Sequence, residues 1–288
     1  MIRIGIVGTE SSHPKAFLKW KDFIAPEFCI AAVLEEGDGA GHALAQEFSI
    51  PQAVPRMEEM IPLVDAVMIF YRSAQKHYEV AKACLEQGIS VWLDKPFTQT
   101  VSQAKELYML ARQKGLTIDG GSSLRFCRDV QNFANCFQNT ANILSGSFNY
   151  PSMADSPYDG IMFYGPHSMT LLMELFGEDV KGMSAMKQKS GVLLLARYEN
   201  FMVSIQMVDC WSSFAEAYLE KDVIRKELRF EDVYKSSLLN FCHLLKLSKQ
   251  EKYETLIGPV ALLTTLRASL ESGKEVSVEA WKEENISC

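Results

Sequence analysis

The chain lacks an apolar run of the roughly 18 residues that a membrane-spanning helix needs. It also lacks an excess of positive charge. Its 29 Lys and Arg stand against 36 Asp and Glu, a net charge of −7 that argues against general nucleic-acid binding. The seven cysteines form no CxxC pair, and an odd, scattered set reads as thiols in a reducing compartment, not as a disulfide framework. The five histidines show no metal-ligand spacing. There is no low-complexity tract and no internal repeat. The N-terminus, Met1-Ile2-Arg3-Ile4-Gly5-Ile6-Val7-Gly8, reads as a strand and a turn, not a signal peptide. These absences predict a cytoplasmic protein with neither nucleic-acid nor membrane partners. What remains is an ordinary globular mixture, 48% hydrophobic and 23% charged, and 288 residues suffice for two domains or one large one.

The first 120 residues alternate strand and helix. Strands are expected at 2–7, 29–34, 64–71, 89–93 and 116–119, with helices at 14–23, 41–48, 75–87 and 101–114. In the last of these helices Ala104, Leu107, Tyr108 and Ala111 share a face, and Gly115 ends it. This rhythm implies parallel βαβ units, hence an α/β fold with a doubly wound sheet. After Gly120-Gly121-Ser122-Ser123 the rhythm changes. A helix at 129–137, a strand at 143–150 and a helix at 166–176 precede strands at 180–188, 192–198 and 201–208, and helices near 231–247 and 258–272 close the chain. That pattern predicts an α+β domain with a largely antiparallel sheet, so residues 1–122 and 123–288 are expected as separate domains.

Asp94-Lys95-Pro96 stands at the end of the apolar run Ile89–Leu93, where open α/β sheets place their working groups. The first strand ends in Gly8-Thr9-Glu10-Ser11-Ser12-His13. A dinucleotide's pyrophosphate would meet helix amides there, and the usual pattern is G-x-G-x-x-G. Gly8 keeps the first glycine, while Glu10 and His13 replace the other two. A carboxylate about 4 Å from a phosphate repels it by roughly 4 kcal/mol at an effective dielectric of 20. Glu10 must therefore point away, pair with a cation such as Arg72, or forbid the pyrophosphate. Ser11 and Ser12 can cap the following helix or donate to a phosphate, and Pro14 suits its first turn. The second strand ends at Glu35, in place for a ribose hydroxyl and repulsive to a 2′-phosphate, so NAD is favoured over NADP.

Five local patterns together resemble the Gfo/Idh/MocA oxidoreductases, the glucose–fructose oxidoreductase and inositol dehydrogenase group. They are Ile4-Gly5-Ile6-Val7-Gly8; Val64-Asp65-Ala66-Val67-Met68-Ile69 followed by His77; Ala83-Cys84-Leu85-Glu86-Gln87-Gly88-Ile89-Ser90-Val91; Asp94-Lys95-Pro96; and Leu124-Arg125-Phe126. The resemblance implies a Rossmann domain, a substrate and oligomerisation domain, and nicotinamide-dependent dehydrogenation of a sugar, polyol or related hydroxy compound. By the same resemblance the chain is a homo-oligomer, a dimer or tetramer, for which strands 192–196 and 201–208 offer an apolar face.

On this reading Lys95 and His167 are the catalytic pair, with Arg125 and Tyr164 beside them as substrate contacts. Gly8, Thr9, Ser11, Ser12, His13, Glu35, Tyr71, His77, Asp94 and Lys95 form the candidate cofactor set. The family carries Glu where Asp94 stands, and an aspartate four residues before its histidine, where this chain has Phe163. Asp155, Asp159 or Tyr164 are the available substitutes for orienting His167. Two other readings compete. One is a non-catalytic relative that senses a ligand or nucleotide or binds a partner. The other is an enzyme whose altered loop turns Glu10 and His13 toward a different ligand.

Overall fold

The computed structural model describes residues 1–137, 143–153, 156–158 and 160–282. Asp155 and Asp159 lie outside the described residues. The first part of the chain builds β1 (Ile2–Val7), α1 (His13–Leu18), β2 (Phe28–Leu34), α2 (Ala40–Phe48), β3 (Gln52–Val54), α3 (Met57–Met60), β4 (Ala66–Ile69), α4 (Ala74–Glu86), β5 (Ser90–Leu93), α5 (Val101–Lys114) and β6 (Ile118–Gly120). The six strands pair in the order β3-β2-β1-β4-β5-β6, all parallel. The direction of winding reverses between β1 and β4, where such sheets place ligands at the strands' C-terminal ends.

β4 and β5 are buried at every position, which is why they read as continuous apolar runs. α5 has the expected bounds. The Thr100 hydroxyl accepts the Gln103 N–H while the Gln103 side chain accepts the Thr100 N–H, and Gly115 closes the helix at φ +66°.

The second part builds α6 (Arg128–Asn135), β7 (Ile143–Pro151), α7 (Ile161–Phe176), β8 (Gly182–Gln188), β9 (Gly191–Arg197), β10 (Met202–Val208), β11 (Ser213–Leu219) and β12 (Val223–Leu228). Then come α8 (Val233–Leu247), α9 (Tyr253–Ser272) and β13 (Val276–Ser277). Its sheet runs β12-β11-β7-β10-β9-β8-β13 and is antiparallel except where β10 meets β7. Val192, Leu194 and Ala196 of β9 and Val203, Ile205 and Met207 of β10 are buried. The opposite face carries Leu193, Leu195 and the exposed Met202, with Phe214 and Tyr218 of β11 in register on it.

Two departures from the expected organisation have physical causes. α7 begins at Ile161, not Pro166, because twelve of its sixteen residues are buried. That burial offsets the roughly 3 kcal/mol that an interior proline costs a helix. The chain also divides as 1–123 with 234–256, and 124–233 with 257–288, whereas a cut at Ser122 assigns α8 to the second domain. α8 returns because Leu238, Phe241, Cys242 and Leu245 complete the first unit's core with Ile4, Ile6, Phe17, Phe70 and Trp92. Asn240 and Glu251 fasten it, through Asn240 Nδ2 to Asp119 (3.1 Å) and Glu251 N to the Ile118 carbonyl (2.9 Å).

Candidate active site

The loop after β1 closes tightly over the end of β4. Gly8 has φ +82°, and a Cβ there would stand 2.9 Å from the Tyr71 backbone nitrogen and 3.0 Å from its ring. Glu10 points its carboxylate at the Arg72 backbone N–H (2.5 Å), so the acid at the second glycine position ties the loop to the β4 end. The Ser11 hydroxyl accepts the His13 N–H (3.3 Å) and donates to the Phe70 carbonyl (3.5 Å). Ser12 occupies the N-cap position without a side-chain capping bond, and Pro14 falls in the first turn of α1. Thr9 is half-buried in this turn.

At the end of β2, Glu35 is buried and turned back on its own chain. Its oxygens accept backbone N–H groups from Gly37 (2.7 Å), Gly39 (2.9 Å) and His42 (3.0 Å). Those donors, His42 first, lower its pKa to about 2. Glu35 thus organises the turn into α2, and the exposed acid at this strand end is its neighbour Glu36. Glu36 accepts the Tyr71 hydroxyl (2.8 Å), while burial and then this carboxylate push the buried phenol's pKa upward.

The end of β5 carries the densest set of titratable groups. Lys95 and Asp94 are both 4% exposed. Burial lowers the Lys95 pKa to about 8, with Asp94 opposing and Arg72 reinforcing the shift. One Asp94 oxygen accepts the Lys95 backbone N–H (2.8 Å); the other meets His13 Nδ1 (2.5 Å). His13 Nε2 lies 3.4 Å from the Tyr234 hydroxyl, and the two rings pack at 5.5 Å. Burial acts to raise the Asp94 pKa, but the charge and hydrogen bond of His13, with Lys95 and His77, hold it below the ordinary value. His77 is fully buried on α4, its Nδ1 2.6 Å from the Pro96 carbonyl, and burial drives its pKa down. A neutral imidazole there donates to that carbonyl and anchors the Asp94–Pro96 turn.

The structure therefore brings His13, Asp94 and Lys95 together and makes Glu35 and His77 builders of the framework. It adds two residues that sequence reading passed over, Glu36 and Tyr234. Glu36 was signalled by the acidic pair at the strand end. Tyr234 carried no local signal, since it lies 221 positions from its partner His13.

In the second unit His167 is half-buried in the second turn of α7, with its ring 5.3 Å from that of Tyr150. Phe163, one turn earlier, packs against Tyr158 and Tyr164 at 5.3 and 5.2 Å, so this position is aromatic where a carboxylate would orient an imidazole. The Tyr164 hydroxyl reaches the Met153 sulfur at 3.5 Å. Arg125 is buried, its guanidinium 4.5 Å over the Phe126 ring. Among the described residues no group of three or more His, Cys, Asp or Glu is placed to hold a metal ion, and no helix is long and apolar enough to cross a membrane.

Residues 2–121 match the family profile described as an oxidoreductase family with an NAD-binding Rossmann fold, GFO_IDH_MocA. The oxidoreductase YhhX of Escherichia coli (strain K12) is 35% identical over 121 residues, 36% of this chain and 33% of YhhX. The match thus spans about a third of that relative's length. Solved structures extend the likeness in fold to nearly the whole chain. Myo-inositol 2-dehydrogenase from Lactobacillus plantarum superposes with a TM-score of 0.80 at 11% identity, covering 96% of this chain and 99% of that one. Scyllo-inositol dehydrogenase from Lactobacillus casei, with bound NAD(H) and scyllo-inositol, gives 0.79 at 13% identity, covering 96% and 99%. With the strand order, the Gly8 turn and the Asp94–Pro96 corner in place, residues 2–121 are similar to the NAD-binding Rossmann domain of the Gfo/Idh/MocA oxidoreductase family.

Proposed function

We propose that the protein is an NAD(P)-dependent oxidoreductase acting on a hydroxyl or carbonyl carbon of a sugar, polyol or related compound. The observation that carries this is Lys95. It is a buried lysine at the C-terminal end of β5, with its pKa lowered to about 8 and a carboxylate held beside it. A lysine so poised is costly to a fold and useful to a proton transfer near neutral pH.

The residues present fit the dinucleotide. Gly8 leaves the first turn without a Cβ where one would strike the Tyr71 backbone, and the Glu10 carboxylate is committed to the Arg72 N–H. Gly8, Thr9, Ser11 and Ser12 would hold the phosphates, and Glu36 and Tyr71 the ribose end. The acid at that end favours NAD over NADP by repelling a 2′-phosphate. When bound, the nicotinamide supplies hydride transfer. Lys95 supplies positive charge or a proton for an alkoxide oxygen as it develops. His167, in the second unit, is proposed as the base for the hydroxyl proton, with Tyr164 and Arg125 as substrate contacts. The apolar positions Leu193, Leu195, Met202, Phe214 and Tyr218 support a homo-oligomer through the open sheet face.

Titration with NADH and NADPH tests the reading directly. Enhanced nicotinamide fluorescence at micromolar concentration, tighter for NADH, is expected. Absence of binding up to millimolar levels refutes it. Lys95→Ala is expected to abolish turnover while leaving NADH affinity within a few-fold, and surviving turnover would overturn the role given to Lys95.

A further inference from the structure

We infer that His13, Asp94 and Tyr234 form a hydrogen-bonded positioning relay for Lys95, in which Tyr234 fixes the His13 ring, His13 keeps the buried Asp94 carboxylate ionised, and Asp94 holds Lys95. This rests on Lys95 being the reacting lysine. It adds residues from three separate places, α1, the turn after β5 and α8, all within the first unit.

The geometry is specific. A carboxylate that is only 4% exposed is costly unless it is paired, and Asp94 is paired on both oxygens. The His13 side chain is itself only 17% exposed, and its other nitrogen is turned to a phenol. Burial pushes the Tyr234 pKa to about 12, so its hydroxyl keeps its proton and donates to Nε2 when the ring is neutral. That bond leaves the ring proton on Nδ1, facing Asp94, as a partner on one imidazole nitrogen sets the state of the other. Asp94 then acts on Lys95 twice, by accepting its backbone N–H and by opposing the desolvation of its ammonium. Among the described residues, the titratable and charged groups facing this cluster include Asp94 from the turn after β5, Arg72 from the loop after β4, His77 from α4, His13 from α1 and Tyr234 from α8. Asp94 raises the proton affinity of Lys95 while Arg72 lowers it, and His13 is the foremost group keeping Asp94 charged.

The test is an NMR titration of protein labelled with ¹³C at lysine Cε, without cofactor or substrate, with Lys95→Arg assigning the signal. Asp94→Asn is expected to lower the Lys95 midpoint by about one pH unit or more, the usual effect of losing an adjacent opposite charge. His13→Ala is expected to lower it in the same direction. His13→Gln replaces the imidazole by an amide that cannot bridge Asp94 and Tyr234 in the same way and is expected to lower it too, which keeps the test available should the alanine variant not fold. Tyr234→Phe, which removes only the hydroxyl, is expected to give a smaller fall. A histidine variant with the parent's midpoint, while Asp94→Asn moves it, overturns the relay. An unmoved midpoint in Asp94→Asn overturns it as well. The parent's midpoint in Tyr234→Phe removes Tyr234 from it. A protein that shows these shifts but never turns over refutes the catalytic reading of Lys95 and leaves the relay standing.

Discussion

Gly8→Ala tests the close approach that shapes the cofactor turn. Two costs separate cleanly. The first is conformational: at φ +82° an L side chain crowds its own backbone, at about 1–2 kcal/mol. The second is contact. The new Cβ would stand 2.9 Å from the Tyr71 nitrogen, 3.0 Å from its Cδ1 and 3.2 Å from the Phe70 carbonyl carbon. Two of these atoms are backbone at the end of a central strand and cannot swing aside, so relief requires moving β1 or β4. Forced overpacking of this kind costs about 1–3 kcal/mol. Gly88, after α4, supplies the control. It has φ +80° with nothing within 4 Å of its would-be Cβ, so Gly88→Ala carries the first cost alone. Since 1 kcal/mol shifts the thermal midpoint of a chain near this size by about 2–4 °C, Gly8→Ala is expected to melt at least about 2 °C below Gly88→Ala. It should also bind NADH more weakly, while Gly88→Ala binds like the parent. Equal melting points for the two variants would refute the argument.

Other consequences follow from the framework. Glu35 has a folded pKa near 2 against an ordinary value of 4.5, so its stabilisation is complete above about pH 4.5 and is lost as pH falls toward 2. Glu35→Gln should therefore flatten the acid limb of a stability profile in that window and change it little at neutral pH relative to its own acid value. Phe241→Ala, on a helix from late in the chain, should destabilise the Rossmann unit by about 3–5 kcal/mol, read by thermal unfolding, because Phe241 is fully buried in that unit's core. Leu195→Glu on the open sheet face should lower the assembly state seen by sedimentation, and an unchanged state would remove that face from the proposed oligomer contact.

Most of the first unit was legible in the sequence because its signals are local. β1 and α5 have the expected bounds, the one from a run of Ile and Val, the other from helical spacing closed by Gly115. The short β3 and α3 were missed, since three or four residues hold too little periodicity. β11 and β12 were missed for another reason. Their exposed alternation, with Glu216, Arg225 and Glu227 on one face, reads as polar loop until the sheet supplies the other side. The Pro166 start of α7 misled because proline favours a first turn, and only burial along the whole helix shows why it lies inside one.

By itself the sequence determined the α/β alternation, the glycine turn at Gly8 and the lysine corner at Asp94–Pro96, because each depends on neighbours within a few residues. Tertiary structure alone decided what the altered loop residues do. Glu10 reaches Arg72 across 62 positions, His13 reaches Asp94 across 81, and Tyr234 reaches His13 across 221. Such pairings arise from strand order and the return of α8 to the first core. They are set by the burial of Leu238, Phe241 and Leu245, which no local pattern near His13 encodes.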